Sequence, residues 1–209
     1  GPDEGSGRER PLVTAVLPRT NRRWLRAARP EGAVRESDFR LVEAPLAPLQ
    51  PGQFRIRTLY LGVAAVMRGY MLNTEKFERP LELGDVMHGR GVGRIVESRH
   101  PGFEVGEIVH GKLGWQDYAI ADGSPYYLMY KVHQRVAPVS TALGVLGLTG
   151  FTAYLGLVDV GAVRPGDTVL VSGAAGGVGS SVGQVARNLG ATAVGIAGWA
   201  KRTFGGGSS

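Results

Sequence analysis

The sequence predicts an α+β protein, a compact β-barrel module followed by the opening half of a doubly wound α/β sheet. Three observations carry this prediction. Short alternating or β-branched runs, separated by turn signals, recur from Asn21 to Ile120. After Ser140 the pattern changes to helix, strand, glycine turn, helix, strand. Glycine supplies 33 of 209 residues, more than twice the usual share of about 7%, without the strict period of collagen.

Each element has its own signal. Phe54–Tyr60 alternates apolar and basic residues, the period of a half-buried strand, and follows the turn dipeptide Pro51-Gly52. Gly91–Glu97 reads as a second strand. His100–Gly106 turns the chain into Glu107–Gly111, and Trp115–Ile120 is a further strand. Thr141–Val158 carries no charge over a length near the lower limit of about 18 residues for a membrane span. Gly144, Gly147, Gly150 and Gly156 interrupt it, and it runs into Asp159, so the expectation is a buried helix crossing between domains. The domains are read as residues 8–140 for the barrel and 141–203 for a partial nucleotide-binding fold. Residues 204–209 form a linker-like tail. Gly1-Pro2 looks like a protease scar, and Gly1–Gly7 is set outside the fold.

Composition bounds the function. Hydrophobic residues at 43% and charged residues at 20% describe an ordinary globular chain. Of the formal charge of +6, much sits in Arg19, Arg22, Arg23, Arg26 and Arg29 around Trp24. That segment is either a solvated edge strand or a basic binding patch; the first is expected, with no nucleic-acid or membrane partner. The absence of cysteine excludes disulfides, thiol chemistry and cysteine-bearing zinc sites. No histidine pair has metal-ligand spacing on a helix, so no metal is expected. No secretory signal is visible, and a cytoplasmic location is the expectation.

The most informative stretch is Gly173–Gly179. It follows Asp167–Ser172, a β-branched run that reads as a buried strand, and it opens Val178–Asn188, which reads as a helix. A glycine turn in that context lets backbone N–H groups approach a pyrophosphate at the positive end of the helix dipole. A dinucleotide site follows, although the same turn also serves as a plain strand–helix junction. The motif lies near the end of the sequence, so the nucleotide fold is expected to be cut after its second strand.

Four stretches together resemble the medium-chain dehydrogenase/reductase superfamily, and within it the zinc-independent branch of NADPH-dependent alkenal, prostaglandin and curcumin double-bond reductases. They are Asn21–Trp24, Val92–Ser98 with His100-Pro101, Gly114–Tyr118, and Leu143–Gly198. The resemblance implies a GroES-like β-barrel joined to a Rossmann domain. It also implies hydride transfer from NADPH to an activated alkene, with the enolate oxygen held by hydrogen bonds. By position it places Gly173, Ala175, Gly176, Val178 and Gly179 along the pyrophosphate and Thr152 near the nicotinamide. Arg202 then falls where the family binds the 2′-phosphate, with Lys201 beside it as a second candidate. The partners implied are a small-molecule substrate and either a homodimer or a second chain that completes the fold.

The chain departs from the family at its pocket. The family's Asp-Pro-Tyr-Met-Arg-Gly reads here Ala64-Ala65-Val66-Met67-Arg68-Gly69, so a pocket hydroxyl is lost at Val66, and another near Phe77. His88 and Arg90 are the remaining polar candidates for catalysis. His88 is either a satisfied loop histidine or a pocket acid; Arg90 is either an exposed strand end or an anion contact. Tyr126, Tyr127 and Tyr130 form either packing or a substrate wall. Two functions stay open: an impaired NADPH-dependent reductase of an α,β-unsaturated carbonyl, or a non-redox cyclase, lyase or binding protein on the same scaffold.

Overall fold

The structure, a computed structural model, describes residues 17–74, 79–133 and 137–198. The chain divides into two compact units, the first ending at Lys131 and the second beginning at Val132.

The first unit is built from strands β1 (Thr20–Arg26), β2 (Phe39–Pro45), β3 (Phe54–Leu61), β4 (Arg90–Ser98), β5 (Ile108–Lys112), β6 (Tyr118–Ala121) and β7 (Tyr130–Lys131), with one short helix, α1 (Met67–Leu72). Five strands form an antiparallel sheet in the order β6-β3-β4-β5-β7, and β1-β2 is a separate hairpin. Phe54, Ile56, Ile95, Val109, Leu113, Ala119 and Ala121 are its buried core. Met67 and Met71 of α1 pack with Leu81 and Met87 in a second cluster, flanked by Phe39, Tyr70 and Trp115.

Three local readings differ from expectation, each for a physical reason. The basic strand β1 is not an edge. Besides pairing with β2 it bridges Gln116 through Arg23 and Val86 through Leu25, and Trp24 donates its N–H to the Trp115 carbonyl at 2.9 Å. The segment Trp115–Asp117 is therefore spent on β1, and β6 starts only at Tyr118. Asn21 completes that join. Its amide Nδ2 donates to the Tyr118 carbonyl at 2.8 Å and its Oδ1 accepts from the Tyr118 N–H at 2.9 Å, as a neighbouring strand would. Thirdly, Arg55 does not face water as the alternation suggests. It is 4% exposed, and its guanidinium donates to Glu97 at 3.0 Å and to the Ala47 carbonyl at 2.7 Å. Glu97 is its cross-strand partner on β4.

The second unit contains α2 (Leu148–Leu155), β8 (Thr168–Ser172), α3 (Gly177–Asn188) and β9 (Thr192–Ile196). β8 and β9 pair in parallel, Thr168 opposite Thr192 and Ser172 opposite Ile196. Leu157, Ala186 and Ala191 form the core beneath them with Val169, Val182, Val185 and Leu189. The other face of the pair is apolar and exposed at Leu170, Val194 and Ile196. The continuous buried helix expected over 141–158 is a 3-10 turn at Val139–Leu143, α2, and a π turn at Gly156–Val160. Leu148, Phe151 and Tyr154 are exposed. The break falls between Leu143 and Leu148, where Gly144 and Gly147 take non-helical backbone. A Cβ on Gly147 would overlap the Ala142 carbonyl. The tail 204–209 lies outside the described residues, and no helix among those described is long and apolar enough to cross a membrane.

Phe54 and Ile56 are fully buried at the centre of the larger sheet. Phe54→Ala should lower the stability of the first unit by about 3–5 kcal/mol, through lost burial and the cavity left behind. Urea denaturation followed by tryptophan fluorescence measures this. Leu59→Ala, on the exposed end of the same strand, should stay within about 0.5 kcal/mol of the parent.

Candidate functional site

The glycine turn is shaped by backbone requirements. β8 ends at Ser172, and Gly173 then takes a left-handed conformation, φ +62°, with open space where a side chain would stand. The Gly176 N–H closes the turn on the Gly173 carbonyl at 2.8 Å, and the Ala174 N–H anchors it to Ile196 of β9 at 3.0 Å. Gly176, in extended backbone, caps α3. The first helical bond runs from the Ser180 N–H to the Gly176 carbonyl. The N–H groups of Gly177, Val178 and Gly179 thus have no carbonyl one turn back to receive them. Ala175 and Val178 are exposed, and the first turn of α3 holds no acidic residue. A cradle of this kind, small-walled and without carboxylates, fits a pyrophosphate.

Two glycines do different work here. A Cβ on Gly179 would overlap the Gly173 carbonyl oxygen and come within 2.8 Å of the Ala174 Cα. Gly179 is therefore needed for α3 to lie against the turn at all. A Cβ on Gly176 would sit 3.1 Å from the Gly173 carbonyl oxygen; its small size keeps the mouth of the turn open. Thr152 lies on α2 with its hydroxyl donated to the Leu148 carbonyl at 2.7 Å. Lys201 and Arg202 lie outside the described residues.

In the first unit, Val66 stands at the start of α1 and Phe77 lies outside the described residues. The half-buried His88 has its Nε2 3.2 Å from the Arg79 carbonyl and its ring edge-on to Tyr70, centroids 5.9 Å apart. Arg90 opens β4 directly opposite Lys112 of β5, and Val92 lies opposite His110. His110 in turn faces Tyr130 on β7, with the rings stacked 4.6 Å apart.

From the sequence His110 has no partner, and Lys112 carries no assignment; both lie on β5. His110 is 3% exposed, and its Nδ1 has no hydrogen-bond partner. Burial, reinforced by the nearby Arg90 charge, lowers its pKa to about 4, so the ring is neutral at physiological pH. Their spacing along β5 was the available signal, because residues two apart in a strand share a face. Among the described residues, no group of three or more His, Asp or Glu side chains is arranged to hold a metal ion.

Comparison with known proteins places this geometry. Residues 22–128 match the N-terminal domain of oxidoreductase family. The chain is 43% identical to the NADPH-dependent curcumin reductase of Escherichia coli, over 87% of this chain and 52% of that protein. It is 40% identical to prostaglandin reductase 1 of Oryctolagus cuniculus, over 78% of this chain and 45% of that one. The crystal structure of CurA from Vibrio vulnificus in complex with NADPH superposes with a TM-score of 0.76 at 39% identity, covering 88% of this chain and 56% of that one. The chain thus spans about half the length of the curated relatives it matches. With its antiparallel first unit and its strand–glycine turn–helix, it belongs to the medium-chain dehydrogenase/reductase superfamily, in the branch that holds the curcumin, prostaglandin and 2-alkenal reductases.

Proposed function

We propose that this chain is the barrel and leading nucleotide-fold portion of an NADPH-dependent oxidoreductase that reduces the C=C bond of an α,β-unsaturated carbonyl. The observation that carries the reading is the turn from Gly173 to Gly179, whose closed, acid-free geometry fits a dinucleotide pyrophosphate. The names of the relatives, with NADPH in the curcumin reductase and in the CurA complex, support the same cofactor. NADPH, when bound, supplies the hydride. The chain's own part is to grip the pyrophosphate through the backbone of Gly173, Ala175, Gly176, Val178 and Gly179. Lys201 and Arg202 meet the 2′-phosphate, and Thr152 borders the nicotinamide. His88 and Arg90 are the polar side chains of the first unit assigned to the substrate carbonyl. The location is cytoplasmic, and the working state is a homodimer or a complex with a second chain.

Activity of this chain by itself is expected to be weak. Val66 offers no hydroxyl to the developing enolate oxygen, and loss of one oxyanion donor typically costs on the order of 10²–10³ in rate. The same loss favours a second reading, a non-redox cyclase, lyase or binding protein on this scaffold.

Gly176→Val should abolish NADPH binding, followed by quenching or shift of the cofactor's fluorescence, while the circular dichroism stays that of the parent. Unchanged affinity would make the turn a plain junction. Replacing Lys201 and Arg202 together by alanine should weaken NADPH and spare NADH; equal loss for both would remove these residues from the 2′-phosphate. Mixed with NADPH and a simple enone, the chain should turn over barely above background. Rapid turnover would mean that other groups stand in for the missing hydroxyls, and absence of any NADPH binding would favour the non-redox reading.

A further inference from the structure

Asp85 stands between two cations. Its Oδ2 accepts from the Arg79 guanidinium at 2.8 Å and from the Glu82 N–H at 3.0 Å. Arg26 of β1 is fully buried and donates its backbone N–H to the Asp85 carbonyl at 2.9 Å, while its guanidinium has no hydrogen-bond partner. Burial pushes the Asp85 carboxyl up, but the Glu82 N–H and the Arg79 guanidinium outweigh it and hold the group below its ordinary value. Asp85 is therefore ionised at neutral pH. An ion pair as exposed as Asp85–Arg79 adds little to stability. What it supplies is geometry.

That geometry reaches His88. The Arg79 carbonyl lies 3.2 Å from the His88 Nε2, and a carbonyl oxygen can only accept. Nε2 therefore carries a proton, and the neutral ring is the Nε2–H tautomer with its lone pair on Nδ1. Among the described residues Nδ1 has no hydrogen-bond partner. Tyr70 of α1 stands edge-on to the same ring, centroids 5.9 Å apart. Arg79 is itself held twice, by Asp85 and by the Tyr126 hydroxyl. Its carbonyl is thus fixed through the side chain as well as along the backbone.

We propose that Asp85 and Arg79 are positioning residues for His88: they hold the Arg79 carbonyl on Nε2 and leave Nδ1 to meet the substrate. The inference rests on the assignment of His88 to the substrate carbonyl. Its consequence is a division of roles within one ring. Nε2 is spent on the backbone in both charge states. The neutral ring offers the substrate a lone pair and no proton. Only the imidazolium donates from Nδ1 to an oxygen that is gaining charge. The titratable and charged side chains set around the ring are Asp85 and Arg79 on its own segment and Tyr70 on α1.

The test reads the imidazole nitrogens of the four histidines by nitrogen–proton correlation spectra, with His88→Gln assigning the His88 signals. His100 is an internal reference: its Nδ1 accepts from the Gly102 N–H at 2.9 Å, so its neutral ring is Nε2–H for a reason independent of Arg79. Neutral His88 should show a bonded Nε2–H whose proton exchanges slowly with water. Arg79→Gln should speed that exchange about tenfold, the worth of one hydrogen bond. Arg79→Lys, which keeps a cation for Asp85, should restore most of the protection. Arg99→Gln, at an exposed position just beyond β4, should change nothing. Asp85→Asn should act like Arg79→Gln; because it also strips charge from beside the buried Arg26, the two Arg79 variants carry the test if it fails to fold. Cyclohexenone is the substrate probe, and it should shift Nδ1 saturably while Nε2–H stays bonded. Three results overturn the proposal: a neutral His88 protonated on Nδ1, exchange unchanged in Arg79→Gln, or cyclohexenone acting on Nε2. A protected Nε2–H with no cyclohexenone response at either nitrogen would remove His88 from the substrate, and the role of Nδ1 with it.

Discussion

Ile56 and the carbonyl of Arg57 press against the backbone of β4 at Gly93, where a Cβ would overlap both. That close approach sets the position of β4, and β4 is the strand to which β3 pairs on one side and β5 on the other. Between Thr58 and Tyr60 the register with β4 shifts, so the strand bends at the same place. Phe54, Ile56, Ile95 and Val109 close over each other as a consequence. The opposite face, with Arg90, Val92, His110 and Lys112, is held by the same pairings. A side chain larger than hydrogen at residue 93 would displace the core and the polar face together, because both hang on one strand.

What could be read from residues alone was governed by local backbone demands. The turn at Gly173–Gly179 was legible because a strand signal, several glycines and a helix signal stand next to one another. The strands β3, β4 and β5 were legible from period, to within one residue at each end. Arg55 was not, since the partner that allows its burial, Glu97, lies across a strand pairing. The helix expected over 141–158 is interrupted at Gly144 and Gly147, because an apolar, uncharged run says nothing about the backbone each glycine adopts. Arg90 was noticed singly. Its meaning changes once the register sets Lys112 opposite it, and no one-dimensional spacing between β4 and β5 reveals that register.

The candidate residues divide by the kind of physics that holds them. Those of the glycine turn would act through backbone N–H groups and require only small side chains. Substitutions there alter shape before they alter charge. Those of the first unit are side chains, and Arg90 stands directly opposite Lys112. His88 and Arg90 are near neighbours in sequence yet differ in this respect. His88 is engaged with the Arg79 carbonyl and the Tyr70 ring, whereas Arg90 contributes its charge to His110 and Tyr130.

Leu170, Val194 and Ile196 leave one side of the β8–β9 pair apolar and open to water. A parallel ladder is somewhat weaker per residue than an antiparallel one, and two strands are marginal without further cover. Its amides are expected to open at lower free energy than those of the larger sheet of the first unit. The glycine turn is tied to this ladder by the Ala174 N–H bond to Ile196, so the turn loosens whenever the end of the ladder opens. A ligand gripping the turn closes that route by mass action. Occupancy of the turn and protection of the β8 and β9 amides are consequently two readings of a single equilibrium.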